Sequence, residues 1–194
     1  MDILSVDQDV LYWLNNTFLG KSTFIDSIFV FLGVYFIYAL PVIMIYLWFK
    51  YPARRVPLTL AFFACIFSWF VITKSIVPNF IWFRERPDLG LIGLKEVFFH
   101  RPDYSFPSDH ATALFALTFG FYAYGWKKVG NWFLVYTILI LVARVTIGIH
   151  FPLDIVGGMI SALLGVGAVY LAKDWLAKNL IKPIEKILKK IKLA

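Results

Sequence analysis

Trp132–Ile149 reads WFLVYTILILVARVTIGI, an apolar run broken by one charge, Arg144, near its end. About 20 apolar residues in helical form cross the hydrocarbon core of a bilayer, so this stretch predicts a membrane-spanning helix. A guanidinium placed inside such a helix is costly and marks a functional position by default.

Working outward, four more runs have comparable character: Ile25–Phe49, Leu58–Val77, Ala111–Tyr124 with its N-terminal flank, and Leu153–Ala172. The third is short unless Ser108–His110 form its first turn. The whole chain of 194 residues is 60% hydrophobic, 19% aromatic and only 16% charged, with a mean hydropathy of +0.75. Those proportions exclude an ordinary soluble domain. The expected fold is all-α, a polytopic membrane helix bundle of five spanning helices, organised as a single domain over 1–194 with its five-span core at 25–172. Before the first span, Val10–Leu19 (VLYWLNNTFL) is too short to cross and is interrupted by Asn15 and Asn16. It predicts an interfacial helix over 10–19. After the last span, 174–194 repeats lysines at helical spacing (Lys178, Lys182, Lys186, Lys189, Lys190) among Leu and Ile, a basic amphipathic tail suited to a membrane surface. Gly157, Gly158, Gly165 and Gly167 lie in the last span, where small residues let helices pack closely. The glycines are equally compatible with contact to a second copy, so oligomeric state stays open. Met1–Asp9 is acidic and does not read as a signal peptide. Cys65, the sole cysteine, falls in an apolar run and reads as a small core hydrophobe.

The distribution of charge predicts the orientation. Lys50, Arg54 and Arg55 follow the first span, Lys127 and Lys128 follow the third, and the lysine tail follows the fifth. All three fall on one side, which the positive-inside rule makes cytoplasmic, the C-terminus included. The formal net charge of +7 is thereby accounted for without nucleic acid. The other two connections, Pro78–Pro107 and the turn around His150, face outward.

Three polar blocks sit on that outer side: Arg84–Pro87 (RERP), Pro107–His110 (PSDH) and Arg144–Asp154 (RVTIGIHFPLD). His150 and Asp154, four apart, share a helix face if the segment is helical. Pro152 suits a first turn, and Asp154 would lie where negative charge is favoured. An aspartate accepting from one imidazole nitrogen fixes the tautomer and leaves the other nitrogen to attack. Ser108 or Asp109 can cap the third span, and such a helix start welcomes phosphate. A histidine at that start, His110, can protonate a leaving oxygen. Arg144 and Arg86 present forks that match phosphate oxygens, with Arg84 and Lys74 as further candidates. Gly148 would let the chain turn His150 back toward them. His100 and Arg101 are loop residues that could touch a substrate head group. No spacing of histidine, cysteine or acid suits a metal, and no cofactor is expected; arginines can supply the charge stabilisation instead.

These blocks resemble the signature of the type 2 phosphatidic acid phosphatase family, membrane lipid phosphatases related to vanadium haloperoxidases. The family pattern is Lys, six residues, Arg-Pro; then Pro-Ser-Gly-His; then Ser-Arg, five residues, His, three residues, Asp. Here it stands as Asn79 with Arg86-Pro87, Pro107-Ser108-Asp109-His110, and Ala143-Arg144 with His150 and Asp154. The resemblance implies that His150 is the nucleophile, Asp154 its orienting partner and His110 the general acid, with Arg86, Arg144 and Ser108 holding phosphate. Asn79 replaces the family's lysine, Asp109 its glycine and Ala143 its serine. Lys74 or Arg84 could compensate for Asn79. The compact chain and the segment leading into Phe24-Ile25-Asp26-Ser27 are similar to a bacterial subgroup that dephosphorylates undecaprenyl diphosphate. The implied activity is a metal-independent hydrolase forming a phosphohistidine, outside the cytoplasmic membrane, that recycles the lipid carrier of peptidoglycan biosynthesis.

Other phosphorylated lipids (phosphatidylglycerophosphate, phosphatidic acid, lipid A phosphate) would use the same pocket. A transporter or channel would instead line a midplane path with polar groups, and these blocks cluster at one end of the spans. A non-catalytic scaffold has no use for both histidines and Asp154.

Overall fold

The computed structural model describes residues 2–81, 84–99 and 103–190, apart from the side chains of Phe80 and Lys189. The sequence candidates His100 and Arg101 lie outside the described residues. Among those described, every regular element is helical, and the pairing of extended backbone is limited to one isolated antiparallel bridge, Glu85–Tyr104.

Four helices are long and apolar enough to span a membrane: α2 (Thr23–Lys50), α3 (Pro52–Asn79), α5 (Lys127–Thr146) and α6 (Pro152–Leu171). The expected third span forms α4 (Asp109–Ala123), which has only 15 residues. At 1.5 Å per residue α4 is roughly 22 Å long, short of the ~30 Å hydrocarbon core. It is nevertheless central, packing extensively on α6, α3 and α5. Its buried Leu114, Leu117 and Phe121 join Ala61, Ala64, Ile140 and Ala162 in the main core. Around this core the outer faces stay apolar; α2 exposes Phe31, Tyr38, Val42 and Phe49, a surface that needs lipid rather than water.

Glycines set how closely α6 approaches its neighbours. A Cβ on Gly158 would stand 2.6 Å from Ala111 Cβ and 2.8 Å from the Ser108 carbonyl, and one on Gly165 would overlap Ser68. Gly157 meets Phe106 in the same way. Three of the four glycines therefore pack internally, while Gly167 has nothing near it.

The spanning helices are not regular. In α2, Phe31–Tyr35 is π-wound and Phe36–Tyr38 is 3-10. Its backbone there serves two partners on α5: the Gly33 carbonyl accepts from Arg144 at 2.7 Å, and the Phe36 carbonyl accepts from the Tyr136 hydroxyl at 2.7 Å. Non-α winding inside a span is tolerated where protein groups satisfy the backbone, and π segments cluster at functional positions. A second π stretch, Ser68–Ile76 in α3, carries Thr73 and Lys74.

The N-terminal helix, α1 (Ile3–Phe18), begins seven residues before the expected Val10 and is capped by Asp2. Two of its polar side chains turn into the bundle, while apolar ones share the outer face with Gln8, Asp9 and Asn16. Asp7, Leu11 and Asn15 are buried, whereas Ile3, Leu4, Val10 and Trp13 are exposed. Asn15 donates to the carbonyls of Lys95 (3.0 Å) and Thr146 (3.1 Å) and accepts from the Lys95 amide (3.0 Å). The tail winds through a π segment, Ala177–Ile181, into α7 (Lys182–Lys190), and Ile181 is buried in the main core.

The two basic connections meet at one end of the bundle. Arg54 donates to the Gly125 carbonyl, and Tyr51 packs edge-on to Trp126 at 5.3 Å between ring centroids. The three polar blocks gather at the other end.

Candidate active site

His150 sits in the tight turn between α5 and α6. Gly148, at φ +72°, makes that turn in the left-handed region that only glycine enters cheaply. A side chain there would also strike Leu89. The following helix starts with Pro152 at its first position, and Asp154 in the first turn accepts from the Phe151 amide at 2.8 Å. Both side chains are buried.

The surroundings of the imidazole determine its tautomer. Nε2 is 3.1 Å from Arg86 Nη1 and 3.4 Å from Arg144 Nη2. A guanidinium can only donate, so Nε2 must be the accepting nitrogen and Nδ1 carries the proton. Nδ1 stands 3.3 Å from Ser105 Oγ and 3.4 Å from Asp154 Oδ2, and the Ser105 hydroxyl also donates to Asp154 Oδ2. Burial, and then the charges of Arg144 and Arg86, hold the imidazole well below its usual pKa of 6.5, against a hydrogen bond with the Ser105 backbone and the charge of Asp103. The ring is neutral at physiological pH, with a lone pair on Nε2 between two cations.

Arg86 is fastened on three sides. It donates to the Ile149 carbonyl at 2.8 Å and to Nε2, and it pairs with Asp103 through Nε. Arg144 is anchored by the Gly33 carbonyl. Ser108 caps α4 through the Ala111 amide at 3.4 Å, and its own amide donates to the Asp154 carbonyl at 3.0 Å, joining the starts of α4 and α6.

A cavity of about 380 Å³ opens over this arrangement, lined by His150, Arg86, Lys74, Asn79, Asp109 and Tyr104 among others. Lys74 and Asp109 pair across it at 2.6 Å, and Asn79 donates back to the Ser75 carbonyl at 2.7 Å. Three of the expected phosphate contacts do not line the cavity. Ser108 is buried as the α4 cap. Arg144 is held by the Gly33 carbonyl beside His150 Nε2. Arg84 points away, to Asp7 (2.6 Å) and Asp154 (3.6 Å), with its guanidinium over the Phe151 ring at 3.6 Å. Two buried carboxylates draw it there more strongly than an open cavity can. His110 occupies the first turn of α4, half-buried, and is also not among the lining residues. Among the described residues no three side chains of His, Cys, Asp or Glu are grouped to hold a metal ion.

Sequence reasoning missed Ser105, Asp103 and Asp7. Ser105 and Asp103 reach the site because the Glu85–Tyr104 bridge and the Ser105 amide, which donates to the Arg84 carbonyl at 2.8 Å, bring the two ends of the long loop together. No local pattern signals that pairing.

This constellation can deliver a neutral imidazole lone pair to a phosphorus atom while guanidinium groups hold its oxygens. The model of the PAP2 superfamily matches residues 58–178. The chain belongs to the PAP2 superfamily. It is, at the level of reaction class, a multi-pass membrane phosphatase. YbjG of Escherichia coli (strain K12), provisionally named an undecaprenyl-diphosphatase, is 28% identical over 156 residues, 80% of this chain and 77% of its own. The undecaprenyl-diphosphatase BcrC of Bacillus subtilis (strain 168) is 28% identical over 142 residues, 72% of this chain and 70% of its own. The crystal structure of Aquifex aeolicus LpxE superposes with a TM-score of 0.65 at 20% identity, covering 84% of this chain and 94% of that one. That likeness confirms the PAP2 fold.

Proposed function

We propose that this PAP2 chain removes the terminal phosphate of undecaprenyl diphosphate through a phosphohistidine on His150. The reading treats 1–194 as one membrane unit in which α4, despite its length, is the third of five spans. The observation that carries it is the placement of His150 Nε2 beside Arg86 and Arg144, with His150 and Arg86 both lining the cavity.

In the first step Nε2 attacks the terminal phosphorus in line and the bond to the bridging oxygen breaks. Arg86 gathers the equatorial oxygens where transition-state charge collects. The leaving oxygen takes a proton from His110, a role that rests on the match to the family's Pro-Ser-x-His block. Water, deprotonated by His110, then attacks the phosphohistidine and releases phosphate. Asp154, reached from Nδ1 directly and through Ser105, balances the imidazolium that forms. The substrate's isoprenoid tail stays in the bilayer throughout. No metal ion takes part in this scheme, and activity should survive chelators.

Undecaprenyl diphosphate is favoured by the two bacterial relatives that carry that name and by their coverage of most of this chain. The basic connections at the opposite end favour an outward-facing site on the bacterial cytoplasmic membrane and a cytoplasmic C-terminus. The test is purified protein offered undecaprenyl diphosphate, phosphatidylglycerophosphate, phosphatidic acid and a lipid A phosphate analogue side by side. The polyprenyl diphosphate should give the largest kcat/KM. A tenfold preference for another lipid, ~1.4 kcal/mol in transition-state binding, would reassign the substrate and leave the reaction intact.

A further inference from the structure

The geometry points to Asp7, on the N-terminal helix, as a positioning residue for catalysis: it holds the Arg84 guanidinium away from Asp154, so that Asp154 remains available to His150. The inference rests on the reading of Asp154 as the partner of a nucleophilic His150.

The three groups form a buried line of charge. Asp7 and Asp154 side chains are 1% and 0% exposed, and Arg84 is 11% exposed. One nitrogen serves both acids. Arg84 Nη1 is 2.6 Å from Asp7 Oδ2 and 3.6 Å from Asp154 Oδ1. Asp7 therefore has the close contact and Asp154 the distant one. The other oxygen of each acid is engaged locally: Asp7 Oδ1 accepts from the Leu153 amide at 2.7 Å, and Asp154 Oδ2 accepts from Phe151 and Ser105 and faces His150. Leu153 and Asp154 are consecutive, so Asp7 fixes the backbone of the helical turn that presents Asp154. α1 thereby contributes to the site without reaching the cavity.

Charge counting predicts an unusual pattern. Asp7→Asn keeps an oxygen for the Leu153 amide but offers Arg84 no carboxylate. The guanidinium, held over Phe151, then closes on Asp154 and turns its carboxylate from His150. Arg84→Gln removes the cation shared by two buried carboxylates, which again disturbs Asp154. Removing both charges together leaves Asp154 with Ser105, the Phe151 amide and His150 as its partners. The double variant should therefore be more active than either single variant. A residue that merely held α1 in place would give losses that accumulate.

The experiment measures kcat, KM and thermal midpoint for wild type, D7N, R84Q and D7N/R84Q, with H150A and D154N alongside, on a detergent-dispersed polyprenyl diphosphate. D7N should lose at least about tenfold in kcat, the scale of a disturbed hydrogen bond to a charged group, with KM within about twofold because Arg84 does not line the cavity. The double variant should recover most of that loss. Unchanged kcat in D7N, a loss expressed in KM, or a double variant no better than the better single would each overturn the proposal. Should D7N not fold, R84Q against the double variant decides the same point. Active H150A would remove the catalytic reading itself, whereas inactive H150A beside fully active D7N would remove only the assignment to Asp7.

Discussion

The Lys74 ammonium stands 2.6 Å from a carboxylate oxygen of Asp109, joining the π-wound end of α3 to the first turn of α4 at the cavity that holds His150. The family has glycine at position 109, and the family's own lysine position is occupied here by Asn79, whose amide is turned back to its helix. Lys74 thus places a positive charge at the same cavity that Asn79 lines, and pairs there with Asp109. Both side chains are partly exposed, 49% and 34%, so the pair is weak, of the order of 1 kcal/mol or less.

That balance predicts opposite shifts in substrate affinity. Asp109→Asn should lower KM for a diphosphate by about two- to fivefold, because Lys74 no longer has to exchange partners. Lys74→Met should raise KM by a similar factor or more. Steady-state kinetics on the two variants check both signs; a higher KM in Asp109→Asn would mean that the carboxylate assists binding.

Ser105 bridges His150 Nδ1 and Asp154 Oδ2, and its removal should be felt in kcat. Ser105→Ala is expected to cost roughly ten- to a hundredfold, the worth of a hydrogen bond to a charged group. His150→Ala should abolish turnover, and Asp154→Asn should cut it by several powers of ten, roughly the scale of a lost orienting aspartate. Phosphate release by purified, folded variants gives the ranking, and a Ser105→Ala enzyme at full speed would show that the direct 3.4 Å contact suffices.

The acid limb of the pH profile should lie low. Only the neutral imidazole attacks, and its protonation is pushed well below pH 6.5 by burial and by Arg144 and Arg86. Activity should persist as pH falls through 6.5 and disappear only well below it. Arg144→Met removes one repelling cation, makes protonation easier, and should move the limb upward. The profile of kcat/KM, corrected for the substrate's own ionisation, reports the free enzyme. A wild-type limb above 6.5 would contradict the environment seen around the ring.

Gly158 and Gly167 offer a paired test of packing. Gly158→Val would push α6 off α4 where Ser108 and Asp154 meet, costing about 1–3 kcal/mol as an overpacked contact and reducing activity as well. Gly167→Val meets nothing within 4 Å and should leave thermal midpoint and turnover alone. Equal damage at both positions would place Gly167 against a partner chain.

Orientation can be read by labelling. With Cys65 replaced by alanine, cysteine at the exposed Leu91 should react with an impermeant thiol reagent in intact cells, and cysteine at the exposed Lys178 should not. The reverse pattern would turn the protein over.

Much of this architecture is legible in the chain, and the rest fails for identifiable reasons. The apolar runs locate the long helices because period and length are local properties. Ser108 as a cap, Asp154 in a first turn and Gly148 at a left-handed turn follow from short-range geometry, and each is found as read. Arg84 misleads because it stands two residues from Arg86 in one polar block, whereas its partners come from α1 and α6. Asn15 misleads more instructively. The sequence reads Asn15 and Asn16 alike, as interruptions of an apolar run, but Asn15 turns inward to the Lys95 and Thr146 backbone while Asn16 stays exposed. Periodicity gives the faces of a helix without saying which solvent each one meets.

The inward-facing Asp7 and Asn15 of α1 bear on the order of events during synthesis. Asp7 and Asn15 need Arg84, Lys95, Thr146 and Leu153, all of which leave the ribosome long after them. Until the last hairpin of the bundle is inserted, Asp7 and Asn15 lack the partners they have in the folded chain. The segment translated early is therefore obliged to wait at the interface and to dock late. The catalytic end is therefore completed only once the turn that carries His150 and Leu153 is in place.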